Sequence, residues 1–546
     1  MAAGRGGESR RAYPCCALIP ASAGTARRPA DRRANEGIPP RKFMLRPYLG
    51  AGALLLALAL GGCAPKPDES LRGTTGFVQG FLGGVVADEP RAALVGREIL
   101  SSGGSAADAA VATYFALSVT LPSTATLGGG GICLVHDPAK DKTQMLDFIA
   151  PAPRSALGPG APAPAATPAN ARGLFVLHAR HGRLKWAQLA SPAARLARFG
   201  VPVSRALARD LAQAGATIGA DAEVRRIFGR ADGSGPLREG ERLIQVDLAA
   251  VLERIRNQGP GDLHIGEGAR QLAQAYRNAG LALDRDDLRE AVPVWRDPIA
   301  VPLESMGRTA VAYFAVPPAT GGVVAGRIIA QLADKDRYAR AGANERAPLF
   351  VEAATRALAE NAPVPALAEG SAASAFVAAD REGQVVACVV TPHHPFGTGR
   401  VAPGTGILAA SVPAAGARGP AALAAMIVDD RRRDGAIFAA AASGGAAAAT
   451  AMAEVAARTL FEGRPVEDAL AAARLHPAGP GGPVHHESHL DDGTMQELSR
   501  RGVRLVAAPA LGVVNALACP GGLLDKPQTC ALRADPRSLG LGAEAN

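Results

Sequence analysis

Ser371 and Ser374, in the stretch GSAASAFVAAD (370–380), are the only side chains there that could attack a carbonyl. Small residues lead into Phe376 and Val377, and the turn DREG follows, so the serines stand at the opening of a predicted strand. A hydroxyl becomes a nucleophile only when a base takes its proton and donors meet the developing oxyanion. No Gly-x-Ser-x-Gly elbow exists to supply that geometry, and no Cys-x-x-Cys offers thiol chemistry. Five of the ten histidines lie in TPHHPFG and PVHHESHL. His485 and His489 are four apart, a spacing that would aim two imidazoles at one metal on a helix. Pro483 before them and Asp491-Asp492-Gly493 after them leave no room for that helix, so no metal and no cofactor is assigned. The glycine run in LGGGGICLVHDP is followed by neither Lys-Ser/Thr nor a helix, which excludes a phosphate loop.

The elements that must position any site follow from periodicity. The stretch GFVQGFLGGVVADEP gives a strand before a predicted helix over Pro90 to Leu100, then a turn at Gly103-Gly104. Ser105 and Asp108 make an S-x-x-D start signal for a second, Ala-rich helix. LGGGGICLVHDP reads as a glycine turn running into a strand, and residues 150–170 as an Ala/Pro-rich loop. From Trp186 to about Leu288 apolar residues recur at helical spacing, as in WAQLASPAARLARFG and GEGARQLAQAYRNAG. From Ala373 onward strands dominate (AFVAAD, QVVACVVT, AMIVDD, GVRLVAAPALGVVNAL), interrupted by one long helix in AAATAMAEVAARTLFEG.

The 546 residues can hold a large core, and the 48% apolar content is that of a globular chain. The net charge of +9 comes mostly from residues 1–43, which alone carry +6, so no nucleic-acid partner is expected. Met44 and Arg46 open a short basic region before the apolar run Leu49 to Gly62, too short to span a bilayer. The run ends in Leu60-Gly61-Gly62-Cys63, which reads as a bacterial lipobox, with KPDES as the polar linker beyond. On this reading Met44 is the initiator and the mature chain is lipid-anchored through Cys63 on the periplasmic side of a bacterial cell envelope. Its partners would be the membrane, through that anchor, and a small-molecule or peptide ligand. Cys133 and Cys388 lie in apolar strand-like stretches and are expected to be small core residues. Cys519 and Cys530 bracket the turn-rich PGGLLDKPQT and are expected to form a disulfide.

Eight stretches, in order from about residue 77 to 540, together resemble the γ-glutamyltranspeptidases: ILSSGGSAADAAVATYFAL with LGGGGICLVHDP; LKWAQLASPAARLARFGVPVS; GDLHIGEGARQLA with DRDDL; VPPATGG; FGTGRVAPGTGIL; and ADPRSLG. The resemblance implies an α+β fold, the αββα four-layer sandwich of the N-terminal-nucleophile hydrolases. It divides the chain into 1–62 (extended start and signal peptide), 63–75 (linker), 76–372 (like the family's large, helix-rich subunit) and 373–546 (like its small, sheet-rich subunit). In the family a Thr-Thr-His run opens the strand that ends in the equivalent of Asp380. Self-cleavage frees the first Thr as a new N-terminus, its hydroxyl the nucleophile and its amine the base.

Counted back from Asp380, those three positions are Ala373, Ser374 and Ala375. The resemblance places the family's carboxylate-binding Arg on Ile149, its amine-binding Asp near Ala415, and its Ser-Ser pair near Ala421 and Ala422. It keeps the oxyanion-hole glycines as Gly444 and Gly445, and the Thr that hydrogen-bonds the nucleophile as Thr391. Two readings stand: a non-catalytic relative, or a hydrolase or acylase of altered specificity with Ser374 or Ser371 as nucleophile and Ile149 suited to an apolar acyl chain. Strand alternation turns Ser374 to the face opposite Ala373, unless the register slips by one. Ser371 keeps the parity but lies about 6.5 Å upstream along a strand. A misplaced family threonine is a minor third possibility, which the absence of Thr between Thr355 and Thr391 disfavours.

Overall fold

Strand pairing and strand alternation build the scaffold from the sequence upward. The computed structural model describes residues 81–156, 162–303, 310–360, 372–412, 422–432 and 435–545, all within one unit of the chain. Thirteen strands matter for the site: β1 (Gly83–Ala87), β2 (Gly130–Asp137), β3 (Lys142–Phe148), β4 (Val294–Arg296), β5 (Ile299–Leu303), β6 (Ala310–Phe314), β7 (Ala372–Asp380), β8 (Val385–His393), β9 (Ala424–Asp430), β10 (Gly435–Ser443), β11 (Val513–Ala518), β12 (Ala531–Arg533) and β13 (Leu541–Ala545). They form two antiparallel sheets, one in the order β13-β1-β7-β8-β2-β3-β4, the other in the order β12-β11-β10-β9-β6-β5. Six helices cover or flank them: α1 (Pro90–Ser101), α2 (Ala106–Thr120), α3 (Arg205–Gln213), α4 (Thr320–Ala333), α5 (Ala343–Ala359) and α6 (Ala447–Leu460).

Alternation along β7 explains the layering. Ala375, Val377 and Ala379 join the core between the sheets, with Ile427 and Ala439 of the second sheet. Phe376 and Ala378 face the other way, into the core beneath α1 and α2. The second sheet turns Phe314, Met426 and Ala440 outward against α4, α5 and α6. The result is the four-layer αββα sandwich.

Local signals hold where they were legible. Ser105 and Asp108 form a reciprocal cap at the start of α2, and the Ala106 N–H donates to Asp380 Oδ2 at 2.9 Å, tying the end of β7 to that helix. Burial is the main cause that pushes the Asp380 carboxyl up to about 6. Every residue of α2 is buried. The Trp186–Phe199, Glu267–Asn278 and α6 helices lie where periodicity put them. Gly96 lets α1 approach α2, since a Cβ there would stand 2.2 Å from Thr113 Oγ1. His485 lies on a strand (Val484–Glu487), not a helix. Among the described residues no helix is long and apolar enough to cross a membrane, and no cluster of His, Cys, Asp or Glu could hold a metal.

One expectation is corrected. Cys133 and Cys388 are not free core thiols; they form a disulfide across β2 and β8. The reason is register: β8 pairs with β2 so that these two residues stand directly opposite each other. Cys519 and Cys530 form the expected second disulfide.

Candidate functional site

At the opening of β7 the pairing with β8 shifts register between Ala372, opposite His393, and Ser374, opposite Val390. Ala373 sits within that shift, half-buried, and lines a cavity of about 590 Å³. The opposite wall comes from the second sheet: Ser443 at the end of β10, Gly444 after it, and Val513 of β11. Helix α3 closes a third side with Arg209, Asp210 and Gln213. Gly444 and Gly445 make the turn between β10 and α6 with φ of 109° and 62°, a conformation that side chains resist. A Cβ on Gly444 would also lie 2.6 Å from Gly512 Cα. The turn therefore has a structural reason to be glycine, whatever its N–H groups donate to.

Ser374 does not follow Ala373 into the cavity. It is fully buried, and its hydroxyl donates to Asp88 Oδ2 at 3.2 Å. The register shift therefore leaves strand parity intact. Asp88 also accepts from the Ala375 N–H at 2.9 Å and from Asn515 Nδ2 at 2.8 Å. Asn515 Nδ2 donates to the Ala375 carbonyl as well, at 2.7 Å. Asn515 Oδ1 accepts from the Asp535 N–H at 3.3 Å, and Asp535 in turn takes the fully buried guanidinium of Arg474. A continuous buried polar chain thus runs from Arg474 through Asp535, Asn515 and Asp88 to the opening of β7, joining the two sheets. Burial raises the Asp88 carboxyl to about 6, against the lowering effect of the three hydrogen bonds it accepts.

Thr391 is buried beside this point. Its hydroxyl donates to the Ala372 carbonyl and accepts from the His393 N–H at 2.8 Å. Ile149 is in a different place from the one expected. It is fully buried in the core between the sheets and does not line the cavity. Its N–H donates to Asp147 Oδ1 at 3.1 Å, and Asp147 is paired with Arg296 at 2.9 Å. The apolar acyl contact imagined for Ile149 is therefore not available. Ala422 is half-buried just before β9. Cys63, Ser371, Ala415 and Ala421 lie outside the described residues.

Sequence reasoning missed Asp88, Asn515, Arg209 and Ser443. Only Asn515 left a signal: one amide inside the apolar run GVVNAL, a polar group that must find partners when buried. Asp88 was hidden beside Glu89, which caps α1 by accepting from the Ala92 N–H at 2.9 Å.

Two stacked antiparallel sheets between helical layers, with a cavity at the opening of a central strand, define the N-terminal-nucleophile hydrolase fold. The crystal structure of cephalosporin acylase from Bacillus halodurans superimposes with a TM-score of 0.70 at 22% identity, covering 88% of this chain and 98% of that one. The family model for gamma-glutamyltranspeptidase matches residues 92–364 and 354–543, and the chain belongs to that family. Glutathione hydrolase proenzyme of Escherichia coli (strain K12) is 28% identical over 432 residues, covering 67% of this chain and 73% of the relative. The protein of the same name from Pseudomonas aeruginosa (strain PAO1) is 32% identical over 264 residues, 45% of each chain.

Proposed function

We propose that this chain is a non-catalytic member of its family: a lipid-anchored protein of the bacterial cell envelope that keeps the fold and the cavity but neither cuts itself nor transfers or hydrolyses γ-glutamyl groups. One observation carries the reading. The residues of β7 that line the cavity are Ala372 and Ala373, neither of which has a hydroxyl, and the neighbouring hydroxyl, on Ser374, is committed to Asp88. Self-cleavage by N→O acyl shift needs a hydroxyl on the residue after the scissile bond, and acyl transfer needs the same group as nucleophile. No charged side chain stands at 149, where the resemblance places the family's carboxylate-binding Arg; Ile149 is instead packed between the sheets. The division of the chain at 372/373 is then a family relic within one continuous polypeptide. The anchor rests on the Leu60-Gly61-Gly62-Cys63 pattern.

The test is the intact mass and N-terminal sequence of the reduced, purified protein, together with an assay on γ-glutamyl anilides. One unbroken chain without turnover is expected. A break between Gly370 and Ala375 that disappears in the Ser371→Ala/Ser374→Ala variant would assign a serine nucleophile and end the non-catalytic reading.

A further inference from the structure

We propose that a patch at the end of the Trp186–Phe199 helix docks on an anionic phospholipid bilayer, inserting Phe199, Ile244 and Val246 among the headgroups and setting Arg195, Arg198 and Arg242 against the lipid phosphates. This contact is separate from any acyl group at Cys63 and does not depend on whether the chain is catalytic.

Local backbone order turns the three apolar side chains outward. Val201 and Pro202 pair with Leu243 and Arg242 in a short antiparallel ribbon. The Gln245 N–H donates to the Ala197 carbonyl at 2.9 Å, so residues 242–245 run along the end of the helix. Leu243 and Gln245 are buried, with Gln245 Nε2 donating to the Val119 carbonyl at 2.9 Å. The alternate residues, Ile244 and Val246, therefore face solvent. A Cβ on Gly200 would stand 2.7 Å from Ile244 Cγ1, which sets Ile244 beside the residue that follows Phe199. Phe199 is 63% exposed, Val246 56% and Ile244 48%.

The charge around them has one sign. From Trp186 to Arg209 there are four arginines and no Asp or Glu. Arg195 and Arg198 are exposed and have no ion pair among the described residues. Arg242 is exposed and donates Nε to the Phe199 carbonyl at 2.9 Å. The acids that flank the ribbon are already taken: Glu239 by Arg205 at 3.4 Å, Glu241 by Arg230 at 3.2 Å and Asp247 by Arg226 at 2.5 Å. Apolar side chains scattered singly on a surface are ordinary. Three on adjoining backbone, among unpaired guanidiniums, suit an interface where apolar groups enter between headgroups and cations meet phosphate. A protein partner fits less well. Even at about 200 Å² each, the three side chains offer less than the roughly 800 Å² per partner of a stable interface. A second copy on a two-fold axis would set arginine against arginine.

The test uses the full chain with Cys63→Ala, so that no acyl group is attached, and Phe199→Trp as a local probe. The readout is quenching of the new indole by vesicles with brominated acyl chains, and the same chain with Phe199 supplies the background from Trp186 and Trp295. Vesicles of phosphatidylglycerol and phosphatidylcholine in equal amounts should quench the probe, and about 0.5 M NaCl should reverse the effect. Vesicles of phosphatidylcholine alone should leave it bright. Arg195→Gln/Arg198→Gln in the same background should need about 30-fold more anionic lipid for half-maximal quenching, the scale of two such cations. Arg195→Lys/Arg198→Lys, which keeps the charge, should stay close to the parent. No quenching of the probe, equal quenching by neutral vesicles, or an unchanged lipid demand after Arg195→Gln/Arg198→Gln would overturn the proposal. So would a dimer in sedimentation velocity that Phe199→Ser/Ile244→Ser dissolves, which would make the patch a contact between copies. Each of these failures leaves the non-catalytic reading standing, because chain mass and turnover are measured without lipid.

Discussion

Cys133 and Cys388 are 255 residues apart in sequence, whereas Cys519 and Cys530 are 11 apart. If a disulfide acts mainly by restricting the unfolded chain, the loop-entropy relation assigns about 5.5 kcal/mol to the first and about 2.8 kcal/mol to the second. Packing adds to the gap, because Cys133 and Cys388 are both fully buried while Cys530 is half-exposed. Equilibrium urea unfolding of Cys133→Ala/Cys388→Ala should therefore show a loss larger than that of Cys519→Ala/Cys530→Ala by about 2–3 kcal/mol. An equal loss, or a larger one from the Cys519–Cys530 pair, would refute the reasoning. The same bond has a bearing on function, because Cys133 and Cys388 lie on opposite sides of Ala373 in the sequence. A chain cut before Ala373 would stay one covalent molecule until reduced. A single band should persist on gels run with and without reductant; one band that splits into two on reduction would reveal a cut.

Ala373→Thr should restore self-cleavage more readily than turnover, because cleavage acts on a peptide already tethered in place at high effective concentration; N-terminal sequencing that finds no new terminus at 373 would count against this placement. Asp88 and Asp380 both have folded-state pKa values raised to about 6 from 3.8, so the fold holds their protons more tightly than the unfolded chain does. Their contribution is present below the unfolded value and is lost as pH rises through about 6, an upper scale of about 3 kcal/mol per group. Relative to wild type, Asp88→Asn should therefore gain in stability as pH rises from 4 to 7; a difference between the two profiles that stays flat or runs the other way over this range would contradict the assignment. Cys63→Ala should remove the protein from the membrane fraction, and wild-type protein that never incorporates radiolabelled fatty acid would end the lipobox reading.

What the sequence by itself determined lies within one or two turns of chain or one strand. The Ser105–Asp108 cap started α2 because a hydroxyl and a carboxylate three residues apart satisfy each other's backbone donors. Apolar spacing marked the helices from Trp186 onward, and strand alternation alone turned Ser374 away from Ala373. The Cys519–Cys530 bond was legible because a short loop brings its own ends together. The family's motifs carried the four-layer order. What only the tertiary structure decided depends on sheet register and on which strands face each other. It set Cys133 opposite Cys388, moved Ile149 out of the cavity and into the core between the sheets, and gathered Asp88, Asn515 and Asp535 into one polar chain from segments more than 400 residues apart at their extremes. It also put Arg209 of a helix and Ser443 of a strand on two walls of the same cavity. Local propensity is written in a window of a few residues, whereas these contacts arise only when two sheets stack, because stacking alone decides which side chains share a face.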